Sequence, residues 1–186
     1  APDYAPDLEL AGSAYGGVPM NIAKMATGLG TSAHPAFGLA MAAALGLERE
    51  YPDRMPVTSQ LNPSGLELRD RLANACTTEI LFHGAGRSLT DVTDPALGTA
   101  LLDSETVQTV FADNSVEHLA SVPNAPVYEW HSPTDDLIPV EAIDTTIRRY
   151  CDAGVPVQSE LVSAPDHLSA AVIGLPGALA FLEDRF

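Results

Sequence analysis

Two side chains that could form a proton-transfer pair, Asp135 and His167, occupy equivalent places in the sequence. Each follows a short apolar segment typical of a β-strand, and one helix-like segment separates them. If the two strands are parallel neighbours, both side chains lie at the carboxyl edge of the sheet, where open α/β sheets bind ligands. The carboxylate would then hold the imidazole in the tautomer whose free nitrogen takes a proton from a nucleophilic hydroxyl. The alternative is an acid in a surface turn and an exposed loop histidine.

The elements around this pair form a strand and helix alternation. Strands that lead into loops are predicted over residues 8–15, 126–130 and 155–162. Helices are predicted over residues 140–151 and 168–186, the second with a kink at Pro176. Such alternation builds a parallel sheet with right-handed crossovers, so the predicted fold class is α/β. The predicted apolar stripes are Ile143, Ile147, Tyr150 and Cys151 on the first helix, and Ala171, Val172, Leu175, Leu179 and Leu182 on the second.

The residues between the first two predicted strands have a different character. Helices are predicted over residues 36–47, over residues 64–76 with a Ser64 cap, and over residues 97–114 as one or two helices. The joints between them are rich in proline and glycine, which suits a segment that packs over a sheet rather than within it. The predicted organisation is therefore a sheet core of residues 1–18 and 125–186 with a helical cap of residues 19–124.

Composition and charge exclude several classes of protein. The 186 residues are 46% hydrophobic and only 18% charged, which is the composition of a folded, core-forming chain. Lys and Arg total 9 against 25 acidic residues, and the net charge of -16 would repel nucleic acid. The longest nearly uncharged stretch, residues 25–47, is too interrupted by glycine and small polar residues to predict a transmembrane helix.

Two further features of the chain leave alternatives open. The first residues contain acidic side chains and proline and no basic segment, so we predict no signal peptide here and a mature or cut start. Cys76 and Cys151 could pair with each other, could each pair with a cysteine elsewhere, or could be buried thiols.

Several segments together resemble a known family. They are YAPDLELAGSAYGGVP at residues 4–19, WHSPTDDLIP at 130–139, Tyr150-Cys151-x-x-Gly154, PDHL at 165–168, and residues 174–186. This pattern is similar to the C-terminal half of the secretory lipase family, which has many actinobacterial members. The resemblance implies the C-terminal part of an α/β-hydrolase fold with an inserted helical lid, a secreted location, and a Ser-Asp-His triad acting on lipid esters. It implies Asp135 as the catalytic acid, with Asp136 as the competing acid, and His167 as the base.

The chain departs from the family pattern because it contains no Gly-x-Ser-x-Gly elbow. The resemblance therefore implies that the serine and the oxyanion hole lie upstream, in an N-terminal half that would be the partner of this chain. An incomplete version, Gly30-Thr31-Ser32-Ala33-His34, lacks the second glycine, and Ser13 falls inside a predicted strand. The segment from His83 to Gly86 resembles an esterase oxyanion motif and follows strand-like residues 79–82, but we predict it to be a turn.

Other residues are weaker candidates for contacts with the substrate. Gly16 and Gly17 end the first strand and would let the backbone approach a ligand closely, or would simply form a turn. A stripe on the alanine-rich helix, formed by Phe37, Met41 and Leu45, would line an acyl-chain channel or pack in the core of the cap. We interpret His131 as a structural or rim residue, and the sequence implies no cofactor and no metal cluster.

Three functions fit these features. The first is a secreted lipase or carboxylesterase whose nucleophile lies outside the chain. The second is an acyltransferase of the same fold, since acyl transfer to alcohols uses the same groups. The third is a non-catalytic fragment or partner-binding module, because a small sheet with an open edge needs a cover.

Overall fold

The computed structural model describes residues 5–29 and 32–186, without the side chains of Pro95, Leu97 and Thr99. The chain forms two compact units. One comprises residues 1–25 and 115–186 and the other residues 26–114. We call them the sheet unit and the helical unit.

The sheet unit holds a three-stranded parallel sheet in the order β1-β2-β3. Ser13 of β1 lies opposite Val127 of β2, which in turn lies opposite Val157 of β3. Helices connect the strands, as parallel neighbours require. The elements are β1 (Ser13–Gly16), β2 (Val127–His131), α8 (Val140–Asp152), β3 (Val157–Leu161), α9 (His167–Ile173) and α10 (Leu175–Glu183). Two further elements lie between β1 and β2 in the chain: α1 (Ile22–Leu29), which runs into the helical unit, and a 3-10 turn, Val116–His118.

Helices cover both faces of this sheet, and every residue of β2 is buried. On one face, Ala142 and Ile143 of α8 form a buried cluster with Met20 and Ile138. On the other face, side chains of α9 and α10 enclose Trp130 of β2. That second cluster comprises Tyr128, Trp130, Val162, Ala164, Ala170, Ala178 and Phe181.

Trp130 fixes the packing between β2 and the last two helices. Its indole Nε1 donates a hydrogen bond to the Ala170 carbonyl oxygen at 3.0 Å. The ring lies against the backbone of Gly16 and of Gly174, and a Cβ added to either glycine would overlap it. Both positions therefore need a residue without a side chain.

The Gly174→Ala substitution is expected to destabilise the chain by about 1–3 kcal/mol, because the new methyl group must displace the buried indole. The control is Gly46→Ala, in helix α2 (Phe37–Glu50), where nothing lies within 4 Å of an added Cβ. Alanine there is expected to stabilise the chain by about 0.5–1 kcal/mol through helix propensity. Urea unfolding of both variants measures the difference, and equal midpoints would contradict the packing.

The helical unit has a separate core. Phe37 and Met41 of α2 pack with Leu68, Leu72 and Val92, and Leu45 packs against this cluster. In the described part of the unit, the only β pairings are the isolated bridges His34–Arg87 and Leu61–Thr93. Its remaining elements are a 3-10 turn, Thr58–Gln60, and helices α3 (Pro63–Leu72), α4 (Thr77–Gly84), α5 (Leu89–Val92), α6 (Pro95–Leu102) and α7 (Glu105–Asp113).

The structure corrects three predictions in the sheet unit. The first strand is only Ser13–Gly16, because pairing with β2 begins at Ser13 and the preceding residues are exposed. The last helix is interrupted at Gly174 rather than kinked at Pro176, which lies in the first turn of α10. Cys151 is exposed, although Tyr150 beside it is buried.

Most of the predicted stripe on the last two helices faces outward. Val172, Leu175 and Leu179 are 72%, 49% and 53% exposed, whereas Ala170, Ala178 and Phe181 face the sheet. The predicted stripe is thus not the side of these helices that packs on the sheet, although Leu182 packs against the buried cluster. These helices are therefore apolar on two sides.

Two predictions in the helical unit also need correction. The cap of α3 is Asn62, whose side chain accepts a hydrogen bond from the Gly65 backbone, and not Ser64. Residues 79–82 are helical rather than strand-like, because Glu79 accepts a hydrogen bond from the Cys76 backbone and starts α4. Of the one or two helices predicted over residues 97–114, the structure has two, α6 and α7.

Candidate active site

A tight turn after β2 presents the acidic residue. Ser132 is fully buried, and its hydroxyl donates a hydrogen bond to the Ala164 carbonyl oxygen at 2.7 Å. The same hydroxyl accepts the Thr134 backbone N–H at 3.1 Å, and the Asp135 N–H donates to the Ser132 carbonyl at 3.2 Å. The turn is thus tied to the segment that follows β3. We call residues 132–138 the acid loop.

Asp135 uses its two carboxylate oxygens for different purposes. Oδ1 accepts the backbone N–H groups of Leu137 at 2.9 Å and Ile138 at 2.8 Å. Oδ2 lies 2.8 Å from Nδ1 of His167. The Asp135 side chain is completely buried, so these contacts fix both its position and its rotation. The expected distance between the predicted acid and base is therefore met.

Two other carboxylates hold the start of helix α9, where His167 lies. Asp166 caps helix α9, because it accepts the backbone N–H and the hydroxyl of Ser169, both at 2.9 Å. Oδ1 of Asp136 accepts the His167 backbone N–H at 3.1 Å. Asp135 thus contacts the imidazole ring while Asp136 contacts the main chain. Sequence reasoning found both aspartates but not this division between them.

The pKa values of the pair favour an ionised acid. Burial would raise the pKa of Asp135, but hydrogen bonds from His167, Ile138 and Leu137 outweigh it and lower that pKa. The hydrogen bond to Asp135 raises the pKa of His167, and burial opposes it. With the carboxylate ionised, the proton between them belongs to Nδ1 of His167. Nε2 is then the nitrogen free to accept a proton, on a side chain that is 20% exposed.

Gly17 lies against the imidazole ring. Its φ is +54°, in the left-handed region that favours glycine, and an added Cβ would lie 2.6 Å from Cε1 of His167. Gly16 instead lies against Trp130, as described above. The structure therefore gives Gly16 a packing role and brings only Gly17 to the acid and histidine pair. A substrate contact for either glycine stays a prediction.

The Gly17→Ala substitution is expected to displace the His167 ring, and the low-field NMR resonance of its Nδ1 proton should be lost. The control is Gly154→Ala, because Gly154 also has a positive φ of 83° but has nothing within 4 Å of an added Cβ. Both variants should lose about 1–2 kcal/mol of stability through backbone strain. An unchanged His167 resonance in Gly17→Ala would show that the ring does not depend on this glycine.

The other candidate residues lie elsewhere. Phe37, Met41 and Leu45 are in the core of the helical unit, which favours the packing interpretation, and an acyl-channel role stays a prediction. Ser13 is in β1, and Ser32 is exposed in a bend whose preceding residues, Gly30 and Thr31, lie outside the described residues.

The glycine-rich segment at the end of α4 has a structural explanation. Gly84 is the last residue of α4, and an added Cβ would overlap Gly38 of α2, so glycine allows the two helices to approach closely. The predicted turn over residues 83–86 is present only at Ala85 and Gly86, because His83 and Gly84 still belong to α4.

Among the described residues there is neither a group of metal ligands nor a disulfide bond. Over residues 5–29 and 32–186, no group of three or more His, Cys, Asp or Glu side chains is arranged to hold a metal ion. Cys76 and Cys151 are both free and exposed, which excludes a bond between them here and excludes two buried thiols. Of the three alternatives that the sequence left open for these cysteines, pairing with a cysteine outside the chain is the one that stays a prediction.

Sequence reasoning missed a second acid and histidine pair in the sheet unit. Glu129 and His131 project to the same face of β2, and both are almost completely buried. Carboxylate oxygens of Glu129 lie 2.9 and 3.0 Å from Nδ1 of His131. The signal was available, because residues two apart in a strand share a face and this strand is otherwise apolar.

A parallel sheet with helices on both faces and an aspartate and histidine pair at its carboxyl edge defines the α/β-hydrolase class. Comparison with known proteins gives the family. The model of the family described as "Secretory lipase" matches residues 1–186, so the chain belongs to the secretory lipase family.

Individual relatives agree with this assignment. The chain is 28% identical to Secreted triacylglycerol lipase LIP1 of Malassezia furfur, with 100% of this chain and 38% of that protein aligned. It is 27% identical to Lipase 4 of Candida albicans, with 100% of this chain and 41% of that protein aligned. The chain thus spans about two fifths of the length of these relatives.

A solved structure supports the fold. Candida antarctica lipase A in its closed state superposes with a TM-score of 0.84 at 23% identity, covering 99% of this chain and 44% of that one. The predicted fold class, part of an α/β-hydrolase fold, is confirmed. The predicted secreted location is confirmed by the family and by relatives named as secreted. No helix among the described residues is long and apolar enough to cross a membrane.

Proposed function

We propose that this chain supplies the acid and the base of the catalytic triad of a secreted lipase or carboxylesterase. The observation that carries the proposal is the contact of 2.8 Å between Oδ2 of Asp135 and Nδ1 of His167. The other oxygen of Asp135 is held by two backbone N–H groups, so the pair is fixed in advance of any substrate. This is the arrangement that orients a general base.

In the proposed reaction, Nε2 of His167 removes the proton of a serine hydroxyl as the serine oxygen attacks the ester carbonyl carbon. The imidazolium that forms is stabilised by the carboxylate of Asp135. His167 then returns the proton to the leaving alcohol as the ester C–O bond breaks. Water attacks the acyl-serine in the same way, and the acid is released.

We propose that the serine and the oxyanion hole belong to a further part of the same protein. No Gly-x-Ser-x-Gly motif occurs in the chain, which spans about two fifths of its relatives. Within the described residues, β1 is an edge strand with one neighbour, so a further strand can pair with it. The outward apolar side of α9 and α10 also needs a cover, and the same part of the protein would supply it.

The helical unit would act as the lid of the enzyme. Its residues are inserted between β1 and β2, and a segment of this kind can control access to the site and exclude water. The proposed substrates are triacylglycerols or smaller carboxylic esters, as the names of the relatives indicate for those proteins. The proposed reaction needs no cofactor.

Hydrolysis of a series of p-nitrophenyl esters and of a triacylglycerol emulsion tests the proposal. The complete protein is expected to release acid from at least one of them, and the 186-residue chain alone is expected to release none. A complete, folded protein that cleaves no ester would contradict the proposed function. Hydrolysis by the isolated chain would contradict the proposed location of the nucleophile.

A further inference from the structure

The buried pair of Glu129 and His131 lies where β2 meets the acid loop. The side chains are 0% and 1% exposed, and both carboxylate oxygens of Glu129 are within 3.0 Å of Nδ1 of His131. The Ser159 hydroxyl of β3 donates a further hydrogen bond to Oε2 of Glu129 at 3.0 Å. The carboxylate therefore joins two neighbouring strands.

Burial requires that the charge of this pair be balanced. An isolated carboxylate in the interior is strongly unfavourable, so the buried Glu129 side chain needs a cation beside it. Burial alone would lower the pKa of His131, but the hydrogen bond and charge of Glu129 outweigh it and raise that pKa. The pair thus favours an imidazolium and a carboxylate. Other titratable groups near it are Tyr15 on β1, Asp144 on α8 and Asp135 in the acid loop.

His131 is directly connected to the acid loop. It is the last residue of β2, and its carbonyl oxygen accepts the Val162 N–H at 2.9 Å. The next residue, Ser132, begins the turn that presents Asp135. The histidine side chain thus fixes the strand end from which the loop departs.

We propose that Glu129 and His131 are positioning residues, whose buried ion pair fixes the acid loop so that Asp135 meets His167. The inference rests on the proposed function, because it assigns a role in the same site. Stability alone does not explain the pair, since apolar side chains of similar volume commonly replace a buried ion pair without loss of stability. Nε2 of His131 has no hydrogen-bond partner among the described residues.

The test uses the complete protein carrying the double substitution Glu129→Leu/His131→Leu. Removal of both charged groups together avoids an unpaired buried charge, so the variant should remain folded. We expect kcat to fall by about 10- to 100-fold with KM unchanged, because the acid shifts relative to the base and not to the substrate. The low-field Nδ1 proton resonance of His167 should weaken or disappear, and the acid limb of the pH profile should move to lower pH.

The matched control is Tyr128→Phe on the opposite face of β2. It removes the hydrogen bond from the Tyr128 hydroxyl to Glu160, which is remote from the acid loop. We expect this variant to keep the kcat, the pH profile and the His167 resonance of the natural protein. If the double variant does not fold, Glu129→Gln replaces it, because glutamine keeps the shape and removes only the negative charge.

A folded double variant, or Glu129→Gln, with unchanged kcat and an unchanged His167 resonance would overturn the inference. The resonance separates this failure from failure of the proposed function. If the complete protein cleaves no ester, the resonance still reports whether Asp135 is held against His167. Its loss in the double variant but not in Tyr128→Phe then supports positioning, and its persistence in both contradicts it.

Discussion

Replacing Asp135 with asparagine in the complete protein is expected to lower kcat for ester hydrolysis by about 10⁴-fold. The buried carboxylate accepts the Nδ1 proton of His167 at 2.8 Å. An asparagine amide turned to donate to Nδ1 would place the ring proton on Nε2, where it cannot accept the proton of the serine. The loss therefore comes from the wrong tautomer and needs no change in the fold.

The control for this prediction is Asp136→Asn. Asp136 contacts the His167 backbone N–H at 3.1 Å, and an amide oxygen can accept the same hydrogen bond. We expect a loss below about tenfold, because the hydrogen bond remains and only its charge is removed. Steady-state kinetics of the two variants measure the contrast. A larger loss in Asp136→Asn than in Asp135→Asn would show that the acid is assigned to the wrong residue.

Replacing His167 with glutamine is expected to lower kcat by about 10⁶-fold, because no other group takes the proton from the serine. A residual rate above water is expected from substrate binding and the oxyanion hole of the complete protein. Single-turnover measurements with an activated ester report the loss at the acylation step. A decrease of less than about tenfold would mean that His167 is not the base.

The pH dependence of kcat/KM follows from the state of the same histidine. His167 must be neutral to act as a base, and its hydrogen bond to Asp135 raises its pKa. The rate should therefore rise with pH through a midpoint above the ordinary histidine value of about 6.5. In Asp135→Asn the raised pKa is lost, so the midpoint should move to lower pH. A midpoint that moves upward would contradict the assignment of Asp135.

The elements that position the pair could be predicted because their patterns are local. The alternation in residues 126–130 and 155–162 predicted β2 and β3, and the apolar stripe after β2 predicted α8, which begins at Val140 as expected. Parallel strands bring their carboxyl ends together, so Asp135 and His167 followed from topology alone.

The remaining features depend on contacts between residues that are distant in the sequence. Periodicity predicted an apolar stripe on the last helices but could not say which side faces the sheet, and here Ala170, Ala178 and Phe181 face it. The need for glycine at position 17 arises from the ring of His167, which lies far along the chain. The buried partnership of Glu129 with Ser159 likewise required the register between β2 and β3.

The short helix α4 shows a different limit of sequence reasoning. Residues 79–82 are apolar enough to indicate a strand, yet the hydrogen bond from the Cys76 backbone to Glu79 begins a helix there. Short apolar runs do not distinguish the two structures, and the capping contact decides between them.

Labelling with a serine-directed phosphonate tests the central claim most directly. The claim is that this chain holds the acid and base but not the nucleophile. The 186-residue chain should remain unlabelled, because a general base without a positioned hydroxyl has nothing to activate. The complete protein should be labelled on a serine outside the chain, and His167→Gln should abolish that labelling. Labelling of the isolated chain at Ser32 or another of its own serines, or labelling of the complete protein that persists in His167→Gln, would contradict the account.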